Sequence, residues 1–218
     1  MSPRPNLLFV MTDQQRFDTL GANGNDAIHT PNLDALAGSA VNVQNYFTNC
    51  PVCVPSRCTL FTGRYPHSHR IRENHNLLEC GREIHLFRAL HQAGYRLGYA
   101  GKNHLLEDPE WADFECTDVW GYDHEATQAE EDLVAWTKGR RREMGTDNWG
   151  AGGYHDSPDE ATRTWNTAES GVRFLDELSD DDDPFCLCVS FADPHSPYVA
   201  PRRFEEMLSG KPGRLSAK

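Results

Sequence analysis

The sequence predicts an α/β fold with a mostly parallel central sheet and helices on both faces. Short apolar runs alternate with helical patterns along the chain, as is typical of βαβ units. Two of the runs, 6–12 and 184–191, read as strands buried inside a sheet. The 218 residues are enough for one sizeable core, so we predict a single unit over 1–218.

After the first strand, Thr30 and Pro31 have the character of a helix start. The helix that follows is expected to bury one apolar face, made of Leu33, Leu36, Ala37 and Ala40. A short strand is expected over 41–47.

The next pair is a helix over 83–92, stopped by Gly94, and a strand over 95–100. Residues 157–160 have the spacing of a capping box and predict another helix. Its core face is expected to comprise Trp165, Ala168, Val172 and Leu175.

The chain is acidic, with a net charge of −12. This charge argues against nucleic acid as a partner and gives no attraction to anionic membranes. Eleven acidic residues and no Lys or Arg lie between Glu107 and Asp132. We interpret 105–156 as an acidic insertion with a solvated surface, the alternatives being a substrate-facing segment or a subunit contact.

No export signal and no run of membrane-spanning length is visible in the sequence. We therefore expect a cytoplasmic protein whose seven cysteines are mostly reduced.

The most specific pattern is Cys53-Val54-Pro55-Ser56-Arg57, continued by Thr62-Gly63-Arg64. Pro55 favours the first turn of a helix and Gly63 favours its end, so Cys53 is expected at a helix N-terminus. Unpaired amides and the helix dipole there would favour an anionic nucleophile and an anionic substrate, and Arg57 adds a cation. Three nearby histidines are expected on the surface: His67, His69 and His75.

Other polar residues follow predicted strands, where open α/β sheets place their chemistry. They are Asp13 and Gln14 after the first strand, Lys102 and His104 after the strand over 95–100, and His195 after the last. Each of these, taken alone, is commonly a turn or structural residue.

A second interpretation of the cysteines is a redox or zinc pair, Cys50 and Cys53, with further ligands from Cys58, Cys186 and Cys188. We favour small core positions for Cys186 and Cys188, and expect them on opposite sides of their strand.

Taken together, the Cys53 pattern, Asp13-Gln14, Gly101-Lys102-Asn103-His104-Leu105 and His195-Ser196-Pro197 resemble the sulfatase family. The resemblance implies an alkaline-phosphatase-like fold and a formylglycine made from Cys53 by a formylglycine-generating enzyme. It also implies a divalent cation bound by Asp13, Gln14 and residue 53, with Ca²⁺ favoured and Mg²⁺ or Mn²⁺ as alternatives.

The family's chemistry assigns a role to each matching residue. The hydrated aldehyde attacks the sulfur of a small-molecule sulfate ester while Lys102 and Arg57 hold the sulfate charge. His195 assists the departing alcohol. A second hydroxyl then expels sulfate as His104 takes its proton.

The resemblance implies that only the N-terminal part of the family's fold is present, truncated at its C-terminus. The family supplies a second metal-ligand pair and a further Lys after the His195 element, and we treat Asp123-His124 and Asp147-Asn148 as coincidental matches to that pair. A missing C-terminal portion or an oligomer would complete the site. The alternatives are a phosphonate or phosphate ester hydrolase of the same superfamily and a non-catalytic remnant.

Overall fold

Six strands and seven helices form within residues 4–120, 122–145 and 152–208, the parts of the chain that the computed structural model describes. The strands are β1 (Leu7–Met11), β2 (Arg96–Lys102), β3 (Cys116–Trp120), β4 (Gly152–His155), β5 (Phe185–Ser190) and β6 (Tyr198–Pro201). The helices are α1 (Pro31–Ser39), α2 (Cys53–Thr62), α3 (Pro66–His69), α4 (Leu86–Gln92), α5 (Gln128–Met144), α6 (Arg163–Ser179) and α7 (Glu205–Leu208). None of the described helices is long and apolar enough to cross a bilayer.

Four parallel strands form the central sheet, in the order β1-β5-β2-β3. β5 is buried along its whole length, as expected for a strand inside a parallel sheet. β4 and β6 pair in parallel as a separate two-stranded sheet. The predicted fold class is confirmed.

Helices cover both faces of the central sheet. On one face α2 and α4 contribute Val54, Phe61 and Phe87 to the larger apolar cluster. On the other face α6 packs Phe174 and Leu178 on β2, β3 and β5. The close approach of α6 depends on Gly171, since a Cβ there would lie 2.9 Å from a methyl carbon of Val189.

Cys186 and Cys188 are buried, as expected, but both belong to the larger cluster. The expectation that they face opposite sides was wrong, because strand residues two positions apart point to the same side.

The N-terminal elements are more exposed than their sequences predict. β1 is buried on one face only, and its outer residues Leu8 and Val10 are 53% and 61% exposed. α1 buries none of its residues, and Thr30 makes no N-cap hydrogen bond. The strand expected over 41–47 is wrong: the segment is coil and turn, and no strand in the described part of the chain pairs with it.

Two predicted helices begin later than expected. α4 starts at Leu86, where the ring of His85 accepts a hydrogen bond from the Arg88 amide. Residues 157–160 do not cap α6; Thr162 does, by accepting from the Trp165 amide. The core face of α6 differs from the predicted one, and Trp165 and Val172 are exposed. The buried face comprises Thr167, Ser170, Gly171, Phe174 and Leu178, because the small residues among them allow the helix to approach the sheet closely.

The acidic segment contributes a sheet strand, β3, and a long helix, α5. Two of its carboxylates are buried. The carboxylate of Glu110 lies 3.2 Å from the ring nitrogen Nε2 of His85 and 2.5 Å from the guanidinium of Arg88. Glu130 completes the capping box of α5. The surface of the acidic segment is therefore only partly solvated.

Candidate active site

The carboxyl ends of the parallel strands bring the candidate residues together. Asp13 follows β1, Lys102 ends β2 and His195 lies in the loop after β5. Backbone hydrogen bonds from Phe191 to Met11, at 2.8 Å, and from Asp13 to Asp193, at 3.4 Å, tie the end of β1 to that loop.

Asp13 is the centre of the cluster and is only 7% exposed. Its Oδ2 accepts from Lys102 Nζ at 2.7 Å and from Arg57 Nη2 at 3.3 Å. Burial opposes ionisation, but the hydrogen bond and charge of Lys102 and the charge of Arg57 outweigh it and lower the pKa of Asp13. The carboxylate is therefore ionised at neutral pH.

Cys53 is the first residue of α2, and its Sγ lies 3.6 Å from Asp13 Oδ1. Burial and the neighbouring charge of Asp13 raise the pKa of the thiol. The expectation of an anionic nucleophile at this helix start is therefore wrong for the unmodified cysteine.

The amides at the start of α2 are also largely occupied. The Val54 amide donates to Asn74 Oδ1 at 3.0 Å, the Ser56 amide donates to the Val52 carbonyl, and Pro55 has no N–H. The positive charge for an anion therefore comes mainly from side chains.

Arg57 is 4% exposed and donates to several strand ends at once. Besides Asp13, its Nη1 reaches the carbonyl oxygens of Lys102 and Asn103, both at 3.2 Å, and Ser190 Oγ at 2.8 Å. Sequence reasoning missed Ser190, although its place as the last residue of the strand after Pro184 was a usable signal.

Two histidines lie beside this cluster. His104 has a left-handed φ of 54°, and its buried Nδ1 has no hydrogen-bond partner among the described residues. Burial and the charges of Lys102 and Arg57 lower the pKa of His104 to about 4. His195 Nδ1 lies 2.6 Å from the Ser196 carbonyl oxygen, so it donates that hydrogen bond.

Asp13, Cys53 and His195 form the group of potential metal ligands found in the described part of the chain, with ligand atoms within 4.8 Å of one another. The donor set fits a hard cation in part: the Asp13 carboxylate is suitable, and an oxygen at position 53 would add a second ligand. Gln14 follows with φ 58° and an exposed side chain, and its role as a ligand stays a prediction.

The zinc interpretation receives no support from this geometry. No second cysteine joins Cys53 in a ligand group within the described ranges, and Cys58, Cys186 and Cys188 are buried in the core.

The surface placement expected of three histidines holds for His67 and His75 but is wrong for His69. His69 is fully buried, with Nε2 3.2 Å from Thr59 Oγ1 and Nδ1 accepting from the Ile71 amide at 3.1 Å.

His124 contacts Asp118 at 2.6 Å and Glu130 at 3.3 Å between β3 and α5, and Asp147 and Asn148 lie outside the described residues.

A cleft of about 1320 Å³ extends from this cluster. Lys102, His104 and His195 are among its lining residues, which also come from α5, the start of α6, and the β4–β6 sheet. The site is therefore open to a ligand larger than its anionic group.

A parallel sheet with a buried carboxylate, two cations and a cysteine at its carboxyl edge defines an α/β protein with a site for an anionic group. The sulfatase family model matches residues 5–214. The chain belongs to the sulfatase family.

Among its relatives is YidJ of Escherichia coli strain K12, described as an uncharacterized sulfatase, which is 30% identical over 215 residues, covering 93% of this chain and 41% of YidJ. An arylsulfatase of Clostridium perfringens strain 13 is 30% identical over 223 residues, covering 94% of this chain and 46% of the relative. The crystal structure of the phosphonate monoester hydrolase of Agrobacterium radiobacter matches with a TM-score of 0.67 and 27% identity, over 94% of this chain and 44% of that one. The chain thus spans less than half the length of each.

Proposed function

We propose that this chain carries the nucleophile-bearing part of a sulfuric ester hydrolase that uses formylglycine derived from Cys53 and a divalent cation. The observation that supports this most directly is the position of Cys53, at a helix start and 3.6 Å from a buried carboxylate that two cations hold. The family membership and the arylsulfatase among the relatives point to the same activity.

When present, a formylglycine hydrate and a divalent cation would supply an activated oxygen nucleophile at position 53. Asp13 is the residue that would hold the cation, since its Oδ1 faces position 53. We favour Ca²⁺, with Mg²⁺ or Mn²⁺ as alternatives, because carboxylate oxygen suits hard cations. Maturation by a formylglycine-generating enzyme would depend on Cys53, Pro55 and Arg57.

Lys102 and Arg57 would bind the sulfate group of the substrate. Both are nearly buried, so their charges are poorly screened by water. Both side chains form ion pairs with Asp13, and these ion pairs hold the two positive charges beside position 53. Each such preorganised cation is commonly worth about 2–4 kcal/mol of barrier lowering.

The histidines would move protons. His104 is neutral at neutral pH, because its pKa is about 4, and can therefore accept a proton. His195 would protonate the departing alcohol oxygen in its imidazolium form, because the proton on Nδ1 is donated to the Ser196 carbonyl.

A phosphonate or phosphate ester hydrolase is the second candidate, favoured by the structural match to the phosphonate monoester hydrolase. Both reactions need the same buried carboxylate and cations, so the geometry alone does not separate them. A binding protein without turnover is the third.

A side-by-side assay tests the proposal. The chain is coexpressed with a formylglycine-generating enzyme and incubated with 4-nitrophenyl sulfate and 4-nitrophenyl phenylphosphonate, with Cys53→Ala as the control. Faster release of 4-nitrophenol from the sulfate, lost in Cys53→Ala, supports a sulfatase. A preference for the phosphonate would favour the second candidate. Binding of both esters with no release from either, even after extension of the chain with the downstream reading frame, would favour the third.

A further inference from the structure

Asn103 lies between Lys102 and His104, in the short loop that follows β2. The proposed chemistry uses both of these neighbours but gives Asn103 itself no role. Its side chain is half-buried and makes three hydrogen bonds within the loop. This arrangement gives Asn103 a specific structural effect on the residue that follows it.

The side-chain amide of Asn103 closes the loop on itself. Its Oδ1 accepts from the backbone amides of Leu105 and Leu106, both at 2.9 Å, and its Nδ2 donates to the Leu106 carbonyl at 2.8 Å. An asparagine that bonds the amide two residues ahead forms an Asx-turn, which takes the place of a backbone turn. His104 is the residue enclosed by this turn.

His104 has a backbone conformation that needs such support. Its φ of 54° lies in the left-handed region, where a residue with a Cβ is strained. Strain of this kind persists only where the surrounding contacts hold it. The pairing of β2 with β3 fixes the chain as far as Lys102, and the Asn103 side chain supplies contacts beyond that point.

The backbone conformation of His104 decides where its ring lies, since the direction of a side chain follows from φ and ψ. In the left-handed conformation the ring lines the cleft together with Lys102 and His195, and its Nδ1 is buried. With a negative φ the Cβ would leave the backbone in another direction. The ring would then lie elsewhere.

Other contacts anchor the same loop. Leu105 and Leu106 are fully buried, and the Leu78 amide donates to the Leu105 carbonyl at 2.8 Å. These contacts act on the residues after His104. The Asn103 side chain instead spans His104, so it constrains the dihedral angles of that residue directly.

We propose that Asn103 is a positioning residue of the active site, whose side chain holds His104 in the left-handed conformation and thereby holds the imidazole beside Lys102 and Arg57. The inference rests on the proposed sulfatase function for the role of His104. The geometry itself belongs to the unconverted chain and can be tested there.

NMR on the 218-residue chain, isotope-labelled at histidine only, tests the inference, with His104→Gln identifying the His104 signals. The one-bond Cα–Hα coupling distinguishes a positive from a negative φ. In Asn103→Ala this coupling of His104 should change to the value for a negative φ. The pKa of His104 should rise from about 4 towards about 6.5, because the ring leaves its buried and cationic surroundings.

Two variants separate positioning from stability. Asn103→Asp keeps the oxygen that accepts from both leucine amides, so the coupling of His104 should keep the value for a positive φ. Asn45→Ala, at an exposed asparagine outside the loop and the cleft lining, should change neither the coupling nor the pKa. A role in stability alone would lower the melting temperature of Asn103→Ala and leave both readouts of His104 unchanged.

A positive φ and a pKa of about 4 for His104 in Asn103→Ala would overturn the inference, since the buried leucines would then hold the loop alone. So would an equal loss of the positive φ in Asn103→Asp and Asn103→Ala. If Asn103→Ala fails to fold, Asn103→Gln, whose amide lies one methylene further out, decides in its place. Failure of the sulfatase proposal shows separately, because both readouts are made with Cys53 unconverted and need no turnover.

Discussion

At the scale of single residues, Asp13 lies between the thiol of Cys53 and the cations of Lys102 and Arg57. Burial and the charge of Asp13 raise the pKa of the thiol, so the unconverted cysteine is protonated and a weak nucleophile. The same carboxylate suits a cation that would bind an oxygen at position 53. The electrostatics therefore favour a modified residue over the encoded one.

Cation binding gives a direct test at this scale. Hard divalent ions should bind weakly to the converted chain, because a full oxygen shell needs about six ligands and Asp13 with residue 53 supplies few. Calorimetric titration with Ca²⁺ should lose its signal in Asp13→Asn. Tight Zn²⁺ binding that survives Asp13→Asn and disappears in Cys50→Ser would instead restore the zinc interpretation.

His69 supplies a pH prediction away from the site. Burial lowers its pKa in the folded chain, so below about pH 6.5 the unfolded chain binds a proton that the folded chain does not. Stability should therefore fall as pH drops through this range. Thermal melts at pH 7 and pH 5 should show a smaller loss for His69→Gln than for the unsubstituted chain, with exposed His75→Gln as the control. Equal losses of thermal stability in the unsubstituted chain, His69→Gln and His75→Gln would contradict the assignment of this pH dependence to His69.

At the scale of elements, Arg57 connects α2 to the ends of β1, β2 and β5 through its hydrogen bonds. The helix is thereby fixed so that its first residue, Cys53, lies beside Asp13. A cation in this place serves the fold and, in the proposed function, would also bind the sulfate group.

Arg57→Ala should lower the free energy of unfolding by about 3–5 kcal/mol, because it leaves the buried Asp13 with less compensation. Arg57→Lys should recover part of this, since a lysine keeps the charge but loses the planar fork. Urea denaturation measures both. Arg72→Ala, on an exposed residue outside the helix, should change stability by less than about 0.5 kcal/mol. A similar small effect for Arg57→Ala would show that Arg57 does not hold α2.

Local signals were enough to predict some elements and not others. The extent of α2 follows from Pro55 and from Gly63, whose φ of 66° ends the helix, and β5 follows from its continuous apolar run. The site residues after strands follow from the topology of parallel sheets.

Features set by distant partners could not be predicted. Asn74 occupies an amide of α2 from twenty residues away, and nothing in its own neighbourhood indicates this. The core face of α6 depends on the close packing of Gly171 against Val189, and the outer face of β1 is exposed in the described structure. Tertiary contacts outweighed local propensity in each case.

At the scale of the whole molecule, exposed apolar surface is concentrated near the N-terminal elements. Leu8 and Val10 on β1, Leu36 on α1 and Phe47 in the following coil are all more than half exposed. Parallel sheets normally have both faces covered. We propose that a further portion of polypeptide, or a second subunit, covers this surface and completes the metal site.

The 218-residue chain alone should therefore hydrolyse an aryl sulfate slowly, even when Cys53 is converted. The second metal-ligand pair and the further Lys that the family resemblance implies are two electrostatic contributions of about 2–4 kcal/mol each. Their loss would lower the rate by several orders of magnitude. Turnover is measured before and after extension with the downstream reading frame, if there is one. Robust turnover by the short chain that depends on Cys53, His104 and His195 would show that the site is completed from within or by a second copy.

The most direct test of the central claim is the mass of the tryptic peptide that contains Cys53, from chain coexpressed with a formylglycine-generating enzyme. We expect the mass of an aldehyde, with CHO in place of CH₂SH, and we expect Arg57→Ala to reduce the converted fraction. Arg72→Ala, at an exposed residue outside the Cys53 pattern, should leave it unchanged. A peptide that keeps the mass of the thiol, in a preparation where the same enzyme converts a known sulfatase, would contradict the account by removing its nucleophile.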